Sequence, residues 1–72
     1  MTPFCDRLRQ LLRERKISMN RFEQETGMSR MIFYPQHRGK FTRSILMALA
    51  YYLETTVEEL VEGTSAEDDW YR

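Results

Sequence analysis

The sequence predicts a small all-α domain built from five short helices. Three observations indicate this fold class: apolar residues recur at helical spacing, helix-capping residues precede the apolar runs, and no stretch alternates apolar and polar residues as a half-buried strand would. Seventy-two residues suffice for one domain with one modest core. We assign residues 1–63 to this domain and expect residues 64–72 to form an acidic, flexible tail.

The first helix is predicted at residues 3–15. Thr2 is a suitable cap for free backbone N–H groups, and Pro3 suits the first helical position. An apolar stripe follows at spacings of three and four residues, which places its members on one face of a helix. The stripe consists of Phe4, Leu8, Leu11 and Leu12.

The second helix is predicted at residues 19–26. Ser18 precedes it as a cap, and Phe22 is its inward-facing aromatic residue. Gly27 follows directly, and glycine adopts the positive φ angle that a tight turn after a helix requires. A turn between two short helices is therefore expected here.

The third helix is predicted at residues 30–34, with Ser29 as its cap. It is expected to be short because Pro35 has no N–H and disfavours a helical conformation at the residue before it. The segment is unusually apolar, with Met-Ile-Phe-Tyr at residues 31–34.

The last two helices are predicted at residues 43–53 and 57–62. Thr42 caps the fourth helix, while Thr56 and Glu59 have the spacing of a capping box for the fifth. The inward-facing positions are Ile45, Leu46, Leu49, Leu53, Val57, Leu60 and Val61.

Charge is distributed unevenly along a chain whose net charge is zero. Residues 1–43 contain ten Lys and Arg against four Asp and Glu, whereas residues 44–72 contain one basic residue against seven acids. Such asymmetry suggests a basic face suited to a polyanion and an acidic opposite end. A solvated surface on an ordinary helical domain is the plainer alternative.

Several other classes of function find no support in the composition. Cys5 and His37 are the only residues of their types, so neither an internal disulfide nor a metal cluster is expected. No long apolar run predicts a membrane span, and the first ten residues lack the apolar core of a signal peptide, so we expect a cytoplasmic protein. No catalytic constellation or phosphate-binding glycine loop is present, and we expect no enzyme activity, cofactor or small-molecule ligand.

Four stretches of the chain form a recognisable pattern: LRQLLRERKIS at 8–18, the Gly27-Met28-Ser29 turn, Arg38-Gly39-Lys40, and LMALAYYLETTVEEL at 46–60. In this order and spacing, they resemble the Xre/Cro-type helix-turn-helix domains of phage repressors. The resemblance covers residues 4–62 and implies a lambda-repressor-like fold.

The resemblance also implies roles for individual residues. Met28 and Phe33 would be buried between the two helices of the motif. Contacts with bases would come from Ser29, Arg30, Met31 and Tyr34. Contacts with DNA phosphates would come from Arg38, Lys40 and Arg43. The end of the fourth helix is a common place for such domains to pair, which implicates Tyr51 and Tyr52, although one of them could belong to the core.

The motif departs from the family pattern at three positions. Met19 stands where the family favours glutamine, and Gln36, directly after Pro35, stands where it favours a large apolar residue. Glu23 stands where the family favours alanine, because the two helices cross closely there. A glutamate at this position must direct its carboxylate outward or open the crossing.

Two functions from different classes are compatible with these observations. The first is a sequence-specific regulator, a Cro-like repressor of a phage or mobile element, which binds a pseudo-palindromic operator in double-stranded DNA as a homodimer. The second is a protein-interaction module on the same scaffold, such as an antitoxin or anti-repressor. In that case the apolar residues 31–34 would bind a protein, as exposed apolar patches often do.

Overall fold

The computed structural model describes residues 2–33 and 41–71. In these ranges five α-helices and one 3₁₀ segment occur: α1 Phe4–Glu14, α2 Met19–Thr26, the 3₁₀ segment Arg30–Phe33, α3 Arg43–Tyr52, α4 Val57–Val61 and α5 Glu67–Tyr71. No strand is present in the same ranges, where an isolated β-bridge joins Thr2 and Thr64. The predicted all-α fold class is confirmed.

One hydrophobic core connects the helices. The predicted inward stripes supply most of it, although Leu11 and Ile45 are half-buried at its edge. Aromatic rings join elements that are distant in sequence: Phe4 and Phe41 meet edge to face with centroids 4.6 Å apart. The most deeply buried large residues are Phe4, Leu8, Phe22, Leu46, Leu49, Leu53, Leu60 and Val61.

Three predicted helix caps are present. The side-chain oxygens of Ser18, Thr42 and Thr56 each accept the backbone N–H of the residue three positions further on, at 3.1, 3.3 and 3.1 Å. The capping box predicted at Thr56 takes a different form, because the carboxylate of Glu59 accepts the hydroxyl of Thr55 at 2.7 Å. The starts of α2, α3 and α4 are thus specified locally.

The prediction for the start of α1 was wrong. The helix begins at Phe4, and Pro3 precedes it in an extended conformation with no side-chain cap of its own. Thr2 instead forms backbone hydrogen bonds with Gly63 and Ser65, both of 3.0 Å. This pairing brings the hydroxyl of Ser65 to the helix start, where it accepts the N–H of Phe4 at 3.0 Å. A residue 61 positions away therefore supplies the cap.

Residues 64–71, which the sequence analysis expected to form a flexible tail, pack against the domain in this structure. Gly63 has a φ of 71°, which turns the chain back after α4. Thr64 is buried, and its hydroxyl donates to the carbonyl of Val61 and accepts the N–H of Ala66. Ala66 is buried in the core as well. These contacts direct residues 67–71 back along the domain as α5.

The acidic residues that suggested a solvated tail favour the short helix α5. Glu67, Asp68 and Asp69 occupy its first turn, where negative charge interacts favourably with exposed N–H groups. The half-buried Trp70 then packs against the core and donates its indole N–H to Glu58 at 3.4 Å. In this structure, packing against the core thus accompanies helix formation in the acidic segment at residues 67–71.

In the described ranges, no helix combines the length and apolar character needed to cross a bilayer.

We expect the substitution Ser65→Ala to lower the free energy of unfolding by about 0.5–2 kcal/mol, because the N–H of Phe4 loses its acceptor. Urea denaturation followed by circular dichroism measures the change. Ser44→Ala is the matched control, since the hydroxyl of Ser44 contacts the exposed hydroxyl of Thr42. A loss at Ser65 no larger than that at Ser44 would contradict the distant cap.

Candidate nucleic-acid interface

The turn between α2 and the 3₁₀ segment is held by local hydrogen bonds. Gly27 has a φ of 74°, and its N–H donates to the carbonyl of Glu23 at 2.9 Å. The hydroxyl of Thr26 donates to the carbonyl of Phe22 at 2.6 Å and accepts the N–H of Met28 at 3.1 Å. The turn predicted at Gly27 is thereby confirmed.

The segment after the turn is a 3₁₀ helix, where a short α-helix was predicted. Ser29 begins it as expected, with its hydroxyl accepting the N–H of Met31 at 3.1 Å and its carbonyl accepting that of Ile32 at 3.3 Å. Hydrogen bonds of this short span define the tighter 3₁₀ geometry, which suits a run of four residues.

The packing beneath the 3₁₀ segment agrees in part with what the family resemblance implies. Phe33 is buried, and its ring meets that of Phe22 edge to face with centroids 5.5 Å apart. Met28 is half-buried against the core, less than the resemblance implies, and Ile32 is also half-buried. Of the described residues of the apolar run, Ile32 and Phe33 therefore face the protein, while Met31 is 54% exposed.

Helix α1 holds the carbonyl groups of the 3₁₀ segment. The thiol of Cys5 donates to the carbonyl of Ile32, with 3.0 Å between the sulfur and the oxygen. The guanidinium of Arg9 donates to the carbonyl of Phe33 at 3.0 Å and lies 5.6 Å from the centre of its ring. Burial raises the pKa of the Cys5 thiol, which keeps the thiol protonated and able to donate.

The side chains predicted to contact bases are distributed around this segment. Ser29 and Met31 are exposed, and Arg30 is partly exposed. The remaining predicted base contact, Tyr34, lies outside the described residues, as do two of the predicted phosphate contacts, Arg38 and Lys40.

Arg30 forms a dense set of hydrogen bonds with α2. Its Nε and Nη2 donate to the same oxygen of Glu23, Oε1, at 3.0 and 2.7 Å. The other oxygen, Oε2, accepts the backbone N–H of Arg30 at 2.7 Å. Nη2 also donates to Oδ1 of Asn20 at 2.6 Å. The carboxylate of Glu23 thus points toward Arg30 and links α2 to the 3₁₀ segment.

Sequence reasoning missed Asn20 and Glu23 as partners of the Arg30 side chain. The signal available was the glutamate itself, a charged residue where the family favours alanine. Its partner, seven residues later, is brought close by the turn at Gly27. The hydrogen bonds from the Arg30 side chain and backbone hold the pKa of Glu23 below its ordinary value of 4.5.

Arg43, the third predicted phosphate contact, is an exposed residue at the start of α3. Its guanidinium carbon lies 5.5 Å from the centre of the Trp70 ring, within the range of a cation–π interaction. Helix α5, which sequence reasoning did not anticipate, therefore helps to orient this side chain.

The two tyrosines assigned to dimer formation have different environments. Tyr51 is 89% exposed, whereas Tyr52 is half-buried, with its ring edge to face against Phe22. The hydroxyl of Tyr52 donates to the carboxylate of Glu25 at 2.5 Å. This bond lowers the pKa of Glu25, while burial and the same carboxylate raise the pKa of Tyr52. Tyr52 thus supports the domain, and Tyr51 lies on its surface.

Both tyrosines line a surface cleft of about 560 Å³ between the end of α2 and the outer face of α3. Its other lining residues are Glu25, Thr26, Met28, Ala48 and Glu54. Among the described residues, no group of three or more His, Cys, Asp or Glu side chains is arranged to hold a metal ion.

The lowered pKa of Glu23 leads to a prediction about stability. A carboxyl group with a lowered folded-state pKa stabilises the protein above its unfolded-state pKa, and this contribution is lost as the pH falls through the folded-state value. Wild-type protein should therefore exceed Glu23→Gln in free energy of unfolding at about pH 7, and the difference should shrink below pH 4.5. Urea denaturation across this pH range tests the prediction.

Arg30→Ala provides the comparison for this experiment, because it removes the side-chain donors to Glu23 and should reduce the same pH-dependent contribution, while the backbone N–H of residue 30 remains. An advantage of wild type over Glu23→Gln that stays constant down to about pH 3 would contradict the assignment.

Comparison with known proteins agrees with the geometry of α2, the turn and the 3₁₀ segment. A family model described as the Cro/C1-type HTH DNA-binding domain matches residues 7–64, most of the chain. No curated protein and no solved structure matches the sequence. The match covers the predicted resemblance at 4–62 almost completely, and the chain belongs to the Cro/C1-type helix-turn-helix DNA-binding domain family.

Proposed function

We propose that this protein is a sequence-specific transcriptional regulator, a Cro/Xre-like repressor of a phage or mobile element. It binds a pseudo-palindromic operator as a homodimer in the cytoplasm and represses by excluding polymerase, without a cofactor, a small-molecule ligand or catalysis. The observation that carries the proposal is the family's helix-turn-helix geometry, with Ser29, Arg30 and Met31 together at the surface after the turn.

The base contacts that we propose follow from side-chain chemistry. The guanidinium of Arg30 suits the N7 and O6 acceptors of guanine, and the exposed thioether of Met31 suits a thymine methyl group. Ser29 contributes a hydroxyl at the same end of the segment, and we retain Tyr34 as a further contact. Only the first turn of a recognition element needs to contact base edges, so the short segment is long enough.

The phosphate contacts that we propose are Arg38, Lys40 and Arg43. Cations beside a recognition element hold the DNA backbone and set the orientation of the domain, but they do not distinguish sequences. Arg43 is supported by its exposed position at the start of α3 and by its stacking on Trp70.

Homodimer formation is proposed on the outer face of α3. Tyr51 and Tyr52 are the residues that we assign to it, and the exposure of Tyr51 supports the proposal for that residue. Tyr52 would contribute mainly by fixing the adjacent surface through Glu25. Pairing two domains doubles the number of base and phosphate contacts, which a domain of this size needs for useful specificity.

A protein-interaction module, such as an antitoxin or anti-repressor, is the second candidate. The exposure of Met31 favours it, because a flexible thioether adapts readily to a protein surface. The burial of Phe33 and partial burial of Ile32 leave less apolar surface in this segment than the sequence suggested. DNA binding therefore remains the first proposal.

Substitution of Arg30 and Arg43 should separate base contacts from phosphate contacts. Arg30→Ala should cost about 1–3 kcal/mol on the specific duplex and little on random DNA. Arg43→Ala should weaken binding to both duplexes about equally and flatten the salt dependence by about one unit per binding site. Fluorescence anisotropy over a series of salt concentrations measures both effects.

The opposite outcome would support the second candidate. If both arginine variants bind DNA as wild type does, while Met31→Ala or Tyr34→Ala abolishes binding to a protein partner, the scaffold serves protein recognition.

Tyr51→Ala should weaken self-association without loss of the fold, because the side chain is 89% exposed. Sedimentation equilibrium with and without operator DNA measures the dimer population. Tyr71→Ala is the matched control, since Tyr71 is an exposed tyrosine on α5. Equal dimerisation of the Tyr51 variant and wild type would exclude this residue from the interface.

A further inference from the structure

We propose that Glu23 is a positioning residue that fixes Arg30 for the recognition of guanine, and that Asn20 is a competing acceptor which guanine displaces. The inference rests on the proposed function and deepens it. It starts from the hydrogen bonds by which α2 holds the side chain and backbone of Arg30.

The carboxylate of Glu23 occupies one edge of the guanidinium. A guanidinium can form paired hydrogen bonds along its side edge, through Nε and one terminal nitrogen, or along its end edge, through both terminal nitrogens. Glu23 takes the side edge of Arg30, because its Oε1 accepts from both Nε and Nη2. Its Oε2 meanwhile holds the backbone N–H of the same residue. One carboxylate thus restrains both the main chain and the plane of the guanidinium.

Asn20 contacts the guanidinium from the other side of the same nitrogen. Nη2 carries two N–H groups; one points toward Glu23, and the second donates to Oδ1 of Asn20 at 2.6 Å. This second N–H belongs to the end edge. Bidentate recognition of guanine N7 and O6 through that edge therefore requires Asn20 to release Nη2, whereas Glu23 can stay bound.

This arrangement should favour specificity over affinity. A long arginine side chain loses rotamer freedom when it binds a base, and Glu23 imposes much of that loss before DNA arrives. The carboxylate is also a negative charge beside the proposed interface, where it repels the phosphate backbone of any DNA. Glu23 should thus strengthen discrimination at one guanine while weakening the attraction to DNA of random sequence.

The test uses the full-length protein and a duplex enriched from a random 20-base-pair library. Each guanine of the enriched duplex is replaced in turn by 7-deazaguanine, which lacks the N7 acceptor. For wild-type protein, replacement at one guanine should raise Kd about threefold to tenfold, and Arg30→Ala should abolish this penalty. In Glu23→Gln the penalty should fall below about twofold, while affinity for random duplex rises.

Three further variants separate the positioning role of Glu23 from its charge and from the competition by Asn20. Glu14→Gln removes an exposed carboxylate whose hydrogen bond is with Gln10 of the same helix, so it should keep the 7-deazaguanine penalty of wild type. Asn20→Ala should also keep the penalty, and should raise affinity for the enriched duplex because guanine no longer has to displace the hydrogen bond between Arg30 and Asn20. Glu23→Asp, which retains a carboxylate at shorter reach, should recover part of the penalty.

If the Glu23→Gln variant folds poorly, a measurement on the free wild-type protein tests the proposal instead. The Nε–H resonance of Arg30 should be slow to exchange in ¹H–¹⁵N spectra of wild type and Asn20→Ala, because Glu23 accepts this proton. A resonance that exchanges as fast as that of the exposed Arg13 in wild type would overturn the proposal.

Failures of the inference and of the proposed function are distinguishable. If a duplex is enriched and Arg30→Ala abolishes the penalty, but Glu23→Gln keeps it or Asn20→Ala loses it, the positioning roles are wrong and DNA recognition stands. If no duplex is enriched, or Arg30→Ala leaves every penalty unchanged, base recognition by Arg30 fails and the inference fails with it.

Discussion

The buried ring of Phe22 is the contact on which the helix-turn-helix depends. It is completely excluded from solvent and meets Phe33 of the 3₁₀ segment and Tyr52 of α3 edge to face, at centroid distances of 5.5 and 5.9 Å. Such contacts stabilise beyond the burial of apolar area alone. Because three elements meet at one ring, core packing as well as the turn fixes the position of the 3₁₀ segment on the domain.

Polar contacts also hold the 3₁₀ segment in place, which is too short to be stable by itself. Its backbone N–H at Arg30 is held by Glu23, and its carbonyls at Ile32 and Phe33 are held by Cys5 and Arg9. A single helical turn has few hydrogen bonds of its own, since forming it fixes several torsion angles for each bond gained. Partners on α1 and α2 therefore supply the bonds that a longer helix would make internally.

Part of the basic character of the N-terminal half comes from arginines that stabilise the fold. Some arginines join helices by donating to main-chain carbonyls: Arg7 to Glu59, Arg9 to Phe33 and Arg15 to Leu53. The guanidinium groups of these three arginines thus stabilise the fold by joining distant parts of the chain. The charge balance of a sequence does not distinguish a solvated arginine from one that donates to a carbonyl, because both carry the same charge.

The sequence by itself determined the features that depend on near neighbours. Ser18, Thr42 and Thr56 cap the residues beside them, Gly27 supplies the positive φ of the turn, and helical spacing identifies most of the core. Only the tertiary structure decided the remaining contacts, because the groups involved lie far apart along the chain or are brought together by the turn at Gly27. Ser65 reaches Phe4, Trp70 reaches Arg43, and Glu23 reaches Arg30 across Gly27. Local propensity carries no information about such contacts, so the acidic C-terminal segment forms a packed helix and the unexpected Glu23 is a partner of Arg30.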